Sequence, residues 1–406
     1  MYNLLISITQ QIIKLAALFN AKAKLWRDGQ VSLLKQIEQK VTKNESTIWF
    51  HAASLGEFEQ GRPVIEAIKA KYPTYKIVLT FFSPSGYEVR KNYQGADYVF
   101  YLPIDTYQNA KQFIELINPK FVVFIKYEFW KNYLHLLRSN NIPIYLISAI
   151  FSNNQLFFKS YGFWYRKVLG YFSHIFVQDE ESELLLKKIN ITNVSIAGDT
   201  RFDRVFEIAQ SVKSFPIVEA FAKNSRVLIV GSSWQADEEI LFEHLNNAAP
   251  KVKYIIAPHE VHTSNIERIV KSIEAKVVRY SQAEINTVAE NDVLVIDNIG
   301  MLSSLYQYGS IAYIGGGFGV GIHNILEAAT FGMPVIFGTN YKRFKEAVEL
   351  VNLGAAFSIA DVFEFADLFD KLITDEQYLK QTGQHAQQFV SDNKGATQKI
   401  MAYLKL

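Results

Sequence analysis

Trp49-Phe50-His51-Ala52-Ala53-Ser54-Leu55-Gly56-Glu57-Phe58-Glu59 runs from an apolar stretch through small residues to a carboxylate. The apolar run predicts a strand, the small residues a turn, and Glu57 the first position of a helix. Backbone N–H groups point outward at a helix N-terminus, which predicts an ionised, exposed carboxylate at the carboxyl edge of a sheet. Such a group suits a general base. Taken alone, the segment reads more readily as an ordinary helix-opening acid. A second segment changes the balance: Gly315-Gly316-Gly317-Phe318-Gly319-Val320-Gly321-Ile322-His323-Asn324-Ile325-Leu326-Glu327 carries another glycine-bearing strand-to-helix turn. One such turn in each half of the chain predicts two nucleotide-type domains facing each other.

With 406 residues the chain favours two domains, and a hydrophobic content of 49% fills a core in each. A net charge of +2 argues against a general affinity for nucleic acid. The absence of cysteine excludes disulfides, thiolate metal sites and cysteine nucleophiles. Strand and helix patterns alternate, with strands expected at 47–52, 76–82, 98–102, 120–125, 143–148, 173–178 and 193–197. After a charged, helix-prone linker at about 203–216 the alternation resumes, at 226–231, 252–257, 292–296, 310–315, 334–337 and 355–358. This is the pattern of α/β domains with parallel sheets and right-handed crossovers. The tail from about residue 375 reads as two or three helices.

The N-terminus carries Leu4, Leu5, Ile6, Ile8, Ile12, Ile13, Leu15, Leu18 and Phe19, interrupted by Gln10, Gln11 and Lys14. It is too broken for a membrane span and lacks the features of a signal peptide. With Lys14, Lys22, Lys24 and Arg27 it reads as a helix lying in a membrane interface, against the alternative of a helix packed on the protein. Phe157, Phe158, Tyr161, Phe163, Trp164, Tyr165, Tyr171 and Phe172, with Lys159, Arg166 and Lys167, suit a membrane surface and a buried crossover equally.

Several turns are placed for chemistry. The glycine loop matches neither G-x-G-x-x-G nor a P-loop, yet its amides, Gly317 among them, can approach a phosphate or sugar. Asn324 and Glu327 are expected on one face of a first helical turn. Glu327 can accept from ribose hydroxyls there, and Asn324 with Glu327 also fits a capping box. Ser232 and Ser233 follow a strand and suit an anion or a plain cap. His259-Glu260-Val261-His262 has the wrong spacing for a zinc helix, so no metal site is expected. Glu128 and Arg201 each follow a strand, where open α/β sheets place their sites.

Together His51-Ala52-Ala53-Ser54-Leu55-Gly56-Glu57, Glu128-Phe129-Trp130, Gly198-Asp199-Thr200-Arg201-Phe202-Asp203 and His323-Asn324-Ile325-Leu326-Glu327-Ala328 resemble the Kdo transferases, the 3-deoxy-D-manno-octulosonic-acid transferases of lipopolysaccharide assembly. The resemblance covers nearly the whole chain. It implies a GT-B fold, two Rossmann-like domains with parallel sheets facing across a cleft. Residues 1–30 would be a membrane-interface helix, 31–205 the acceptor domain, 206–385 the CMP-sugar domain and 386–406 a C-terminal helix. The implied activity is inverting, metal-independent and cofactor-free transfer of Kdo from CMP-Kdo to a sugar hydroxyl of a lipid A precursor (lipid IVA), at the cytoplasmic face of the inner membrane.

By the same resemblance Glu57 is the proton acceptor, and Glu128 and Arg201 stabilise the transition state. Pro258, His259, Ile299, Gly300, Met301 and Asn324, Ile325, Leu326 and Glu327 contact CMP. Ser232, Ser233 and Gly317 join the donor side; Lys14, Lys22, Lys24, Arg27 and Arg62 join the acceptor and membrane side. Three positions depart from the pattern. Pro258-His259-Glu260 stands where many members have Pro-Arg-His, Lys126 replaces another polar or acidic residue, and Arg201 replaces a frequent lysine. The rival readings are a sugar-nucleotide epimerase of GT-B-like fold and a catalytically silent lipid-binding relative.

Overall fold

A computed structural model describes residues 2–42, 45–247 and 252–404, with the side chain of Trp164 outside the description. The chain divides into two units, Met1–Arg204 with Lys394–Leu406, and Val205–Asn393. The first unit holds β1 (Thr47–Ala52), β2 (Lys76–Phe81), β3 (Tyr98–Tyr101), β4 (Pro119–Ile125), β5 (Ile144–Ala149), β6 (His174–Val177) and β7 (Val194–Ile196). They form one parallel sheet in the order β3-β2-β1-β4-β5-β6-β7. Helices cover both faces, so the central strands are apolar runs rather than alternating ones, and β1 is buried at every residue. Trp49 packs edge-on against Phe113, Phe124 and Tyr133. Phe50 and Phe58 belong to a second core cluster, which Ile400 and Leu404 complete. The C-terminal helix Ala396–Tyr403 is therefore part of the first unit, and the Asp203 carboxylate accepts from Gly395 N and Thr397 N at its start.

The second unit holds β8 (Val227–Ser233), β9 (Lys253–Pro258), β10 (Val277–Arg279), β11 (Val293–Val295), β12 (Ile311–Ile314), β13 (Val335–Phe337) and β14 (Ala356–Ser358). Its order, again all parallel, is β10-β11-β9-β8-β12-β13-β14. The strands expected from the sequence are all present. β10 was not expected, because it is a three-residue, half-buried edge strand flanked by charge. In each sheet the strand order reverses at one point, between β1 and β4 and between β8 and β12; in the second sheet β11 then inserts between β9 and the edge strand β10. Such switch points leave a crevice beyond the strands' carboxyl ends.

The N-terminal helix Tyr2–Ala16 packs on the protein along one face only. One face docks on the first unit: Ile6 and Ile13 pack on its core, Tyr2 Oη donates to Asp105 Oδ2 at 2.5 Å, and Asn132 Nδ2 donates to Asn3 Oδ1 at 3.0 Å. The other face leaves Leu4, Leu5, Ile8, Ile12 and Leu15 exposed, followed by Leu18 and a nearly bare Phe19. Among the described residues no helix is long and apolar enough to cross a membrane. The aromatic segment is mostly packing. Phe157 and Phe172 are buried, and Arg166 donates to the carbonyls of Phe157 and Lys159, while Tyr161 and Phe163 stay exposed.

Candidate active site

Glu57 lies beyond β1 in the helix Leu55–Lys71, which Ser54 caps. Two expectations about it are corrected. It is the third helical residue, not the first, and its Oε2 accepts from Ser54 N at 3.0 Å in a capping box. Its carboxyl is also pushed up, not down. Burial is the largest cause and the neighbouring Glu128 charge the second; His51 and the Ser54 and Ala53 amides act the other way and do not prevail. A half-buried carboxylate beside a like charge binds a proton more strongly than an exposed helix-opening one.

Glu128 follows β4 and is 7% exposed. Its Oε2 lies 3.0 Å from His51 Nε2 and accepts from Trp130 Nε1 at 2.5 Å. Lys126, two residues before it, adopts a left-handed backbone with φ of 69°. This conformation disfavours a side-chain-bearing residue, and such strain concentrates at functional turns. The parallel pairing of β1 with β4 thus brings together residues far apart in sequence. Arg201 also belongs to the first unit, after β7. Its backbone N–H reaches Asp199 Oδ1 at 2.9 Å and its Nε reaches Oδ2 at 2.8 Å. The guanidinium is held by Asp199, a partner the sequence reading did not assign. Arg62 is committed to Glu66 at 2.8 Å and Glu59 at 3.6 Å, and Arg27 to Asp28 at 2.8 Å. Lys14, Lys22 and Lys24 are exposed.

In the second unit the donor-side residues gather at the ends of β8, β9 and β12. Ser232 takes a left-handed backbone with φ of 53°. The Ser233 hydroxyl donates to Glu238 Oε1 at 2.8 Å, so it braces the turn. The glycines of the loop have packing reasons. A Cβ on Gly315 would lie 2.3 Å from the Ser232 carbonyl oxygen, and one on Gly317 would lie 2.4 Å from Gly338 N. Asp237, 1% exposed, ties the two turns by accepting from Gly316 N at 2.8 Å and from Trp234 N and Tyr313 Oη at 2.9 Å.

Pro258 ends β9, and His259 beyond it is exposed. The His259 ring stacks on Trp234 at 4.3 Å and on His323 at 4.6 Å. Trp234 Nε1 donates to His323 Nε2 at 3.0 Å, and burial and the adjacent His259 push His323 down to about 4. The stack is therefore neutral at His323 near pH 7. Trp234 and His323 belong to this site although the sequence reading gave neither a contact role. A cavity of about 160 Å³ opens beside Trp234, Phe318 and Val320.

Ile299 is exposed, Gly300 has φ of 92°, and Met301 is buried before the helix Leu302–Leu305. The helix after the glycine loop begins at Leu326, so Asn324 is not its N-cap as expected; Ile325 holds that position. Asn324 Nδ2 nonetheless donates to Glu327 Oε1 at 2.9 Å. The Ile325 and Leu326 side chains are core, so neither offers a side chain to a ligand. His262 and Glu260 bond each other at 3.0 Å. Among the described residues no three His, Cys, Asp or Glu side chains gather into a metal-binding group.

Comparison with known proteins places this geometry. Residues 30–204 match the family model described as 3-deoxy-D-manno-octulosonic-acid transferase (kdotransferase). The 3-deoxy-D-manno-octulosonic acid transferase of Aquifex aeolicus is 27% identical over 86% of this chain and 93% of its own length. That of Haemophilus influenzae is 25% identical over 88% of this chain and 86% of its own length. Among solved structures, the UDP-GlcNAc 2-epimerase of Neisseria meningitidis bound to UDP-GlcNAc superposes with a TM-score of 0.58 at 17% identity, covering 88% of this chain and 98% of that one. A glycosyltransferase from Rickettsia africae gives 0.55 at 14% identity, covering 88% and 97%. Those two likenesses speak for the fold alone, which is GT-B-like. The chain is a glycosyltransferase and a homologue of the Kdo transferases of lipopolysaccharide biosynthesis.

Proposed function

We propose that this chain moves Kdo from CMP-Kdo to a sugar hydroxyl of a lipid A precursor, with inversion and with Glu57 as general base. The observation that carries the reading is the pairing of Glu57 with Glu128 at the switch point of the first sheet, in the region that matches the transferase family model. The acceptor hydroxyl oxygen attacks the anomeric carbon of Kdo, the bond from that carbon to the CMP phosphate oxygen breaks, and the hydroxyl proton passes to Glu57. Glu128, held by two donors, offers a fixed negative charge to the oxocarbenium character that develops. Arg201, held by Asp199, supplies a cation of fixed orientation.

The second unit takes the donor, with the Trp234–His259–His323 stack offering flat rings suited to a base or ribose. Replacing Glu327 with alanine should weaken CMP binding by about 1.5–3 kcal/mol, the range for a charge-assisted hydrogen bond. Calorimetry on the folded variant checks this; unchanged affinity would leave Glu327 a structural residue that accepts from Asn324.

The reading includes no resident metal, because His259-Glu260-Val261-His262 lacks the histidine spacing of a zinc helix. Activity is expected to survive excess EDTA, and loss restored by magnesium or manganese would overturn this. The exposed apolar face of the N-terminal helix supports a position on the cytoplasmic surface of the inner membrane, where a lipid acceptor resides. Purified protein incubated with CMP-Kdo and a tetraacylated lipid A precursor should yield a product heavier by Kdo in mass spectrometry. Epimerised sugar nucleotide without acceptor, or binding without turnover, would replace the reading.

A further inference from the structure

His51 and Thr80 are fully buried on neighbouring strands and face each other in the β1–β2 register. Apolar side chains fill the adjoining positions, Phe50 and Ala52 on one strand and Leu79 and Phe81 on the other. His51 and Thr80 form the middle of a line of hydrogen bonds. Trp49 Nε1 lies 2.7 Å from Thr80 Oγ1, Thr80 Oγ1 lies 2.9 Å from His51 Nδ1, and His51 Nε2 lies 3.0 Å from Glu128 Oε2.

The direction of this line follows from its ends. An indole N–H can only donate, so the Thr80 hydroxyl accepts from Trp49 and has one proton left to give. Two acceptors are in reach, His51 Nδ1 at 2.9 Å and the Phe50 carbonyl at 3.3 Å. The shorter contact makes His51 Nδ1 the acceptor, which leaves the ring proton on Nε2, aimed at Glu128. Trp130 Nε1 lies 2.5 Å from the same carboxylate oxygen and 3.1 Å from His51 Nε2, and its one proton serves the nearer, charged acceptor. The opposite tautomer would bond the Thr80 carbonyl, 3.1 Å from Nδ1, and would turn an unprotonated Nε2 toward a carboxylate oxygen at 3.0 Å. That arrangement sets two lone pairs against each other in a buried site with a single Trp130 N–H between them, 2.5 Å from Glu128 Oε2 and 3.1 Å from His51 Nε2, which can satisfy only one of the two fully.

We propose that His51 and Thr80 are positioning residues of the transfer reaction: Thr80, held by Trp49, fixes His51 as the Nε2–H tautomer, and His51 with Trp130 fixes the Glu128 carboxylate beside Glu57. This rests on the reading of Glu57 and Glu128 as the reacting end. Neither positioning residue touches the substrate. Their effect passes through Glu128, whose charge in turn raises the proton affinity of Glu57.

Two measurements test it separately. Nitrogen NMR of protein labelled in its histidine rings should show one residue, assigned by its loss in His51→Gln, with a protonated Nε2 and an unprotonated Nδ1. A protonated Nδ1 in the unaltered protein overturns the proposal whatever the enzyme does. In the kinetic arm, Thr80→Val keeps shape and removes the hydroxyl. It should lower kcat about 10–100-fold, as the loss of such outer partners does elsewhere, move the acid limb of the kcat profile and leave both KM values within about twofold. Thr80→Ser should restore most of the loss. Unchanged kcat in Thr80→Val, or equal loss in the serine variant, overturns the positioning role. Full activity in Glu128→Gln together with the expected NMR pattern would instead overturn the assignment of Glu128 and leave the hydrogen-bond line standing.

Discussion

Glu57→Gln lowers the rate of sugar transfer by about 10²–10⁴-fold, the usual contribution of a positioned general base, while fold and donor affinity persist. The amide still offers an oxygen to the Ser54 amide, so the start of the Leu55–Lys71 helix keeps its cap. What is lost is the capacity to accept a full proton. Because burial and the Glu128 charge push the Glu57 carboxyl up, the acid limb of the unaltered enzyme should lie above the ordinary glutamate range and vanish from the residual activity of the variant. The stability sign follows from the same shift. A carboxyl raised in the folded chain favours folding below its unfolded pKa, and that contribution fades as pH rises through the folded value. At neutral pH the ionised Glu57 therefore costs stability, and the glutamine variant should melt no lower than the parent. Near-normal turnover, measured beside the melting curve, would remove Glu57 from the mechanism.

The second large effect is expected on the membrane. Leu4→Ser, Ile8→Ser and Ile12→Ser combined should reduce binding to anionic vesicles by about 100-fold, taking roughly 1 kcal/mol for each partly buried apolar side chain. These side chains are exposed in the protein, so the substitutions leave its core alone. Deleting residues 1–25 is the cruder test, because it also removes Ile6, Ile13 and the Tyr2 bond to Asp105, which hold the helix on the first unit. Transfer to a bilayer-embedded acceptor should fall with binding, and transfer to a detergent-dispersed one much less. Residual binding should weaken with salt, since Lys14, Lys22 and Lys24 each contribute about 1 kcal/mol near anionic headgroups. Vesicle binding that ignores the three substitutions would make this face an ordinary surface.

The strands were legible because buried parallel strands are short apolar runs separated by helical periods, and only β10, short and at an edge, escaped. Candidate site residues could be read where a residue type and a strand end coincide, as at Glu57, Glu128 and Arg201, whose roles rest on the proposed function. The site was not legible where a residue's meaning depends on its neighbour across the sheet. Thr80 reads as one more strand residue, and only its place opposite His51 gives it a role. Asp203 sits in the same quoted motif as Arg201, yet it caps a helix that begins nearly two hundred residues later.

By itself, then, the sequence determined the alternation of elements, the two parallel sheets and the turns at which chemistry is placed, because hydrophobic periodicity and glycine act over a few residues. Only the tertiary structure decided the electrostatics of those turns. The capping position alone argued for a lowered Glu57 carboxyl, and the capping bond is indeed present. Packing β4 beside β1 buried that carboxyl and set Glu128 near it, and desolvation with like-charge repulsion outweighed the helix terminus. Charge interactions extend through space rather than along the chain, so their sign was fixed only when the strands were paired.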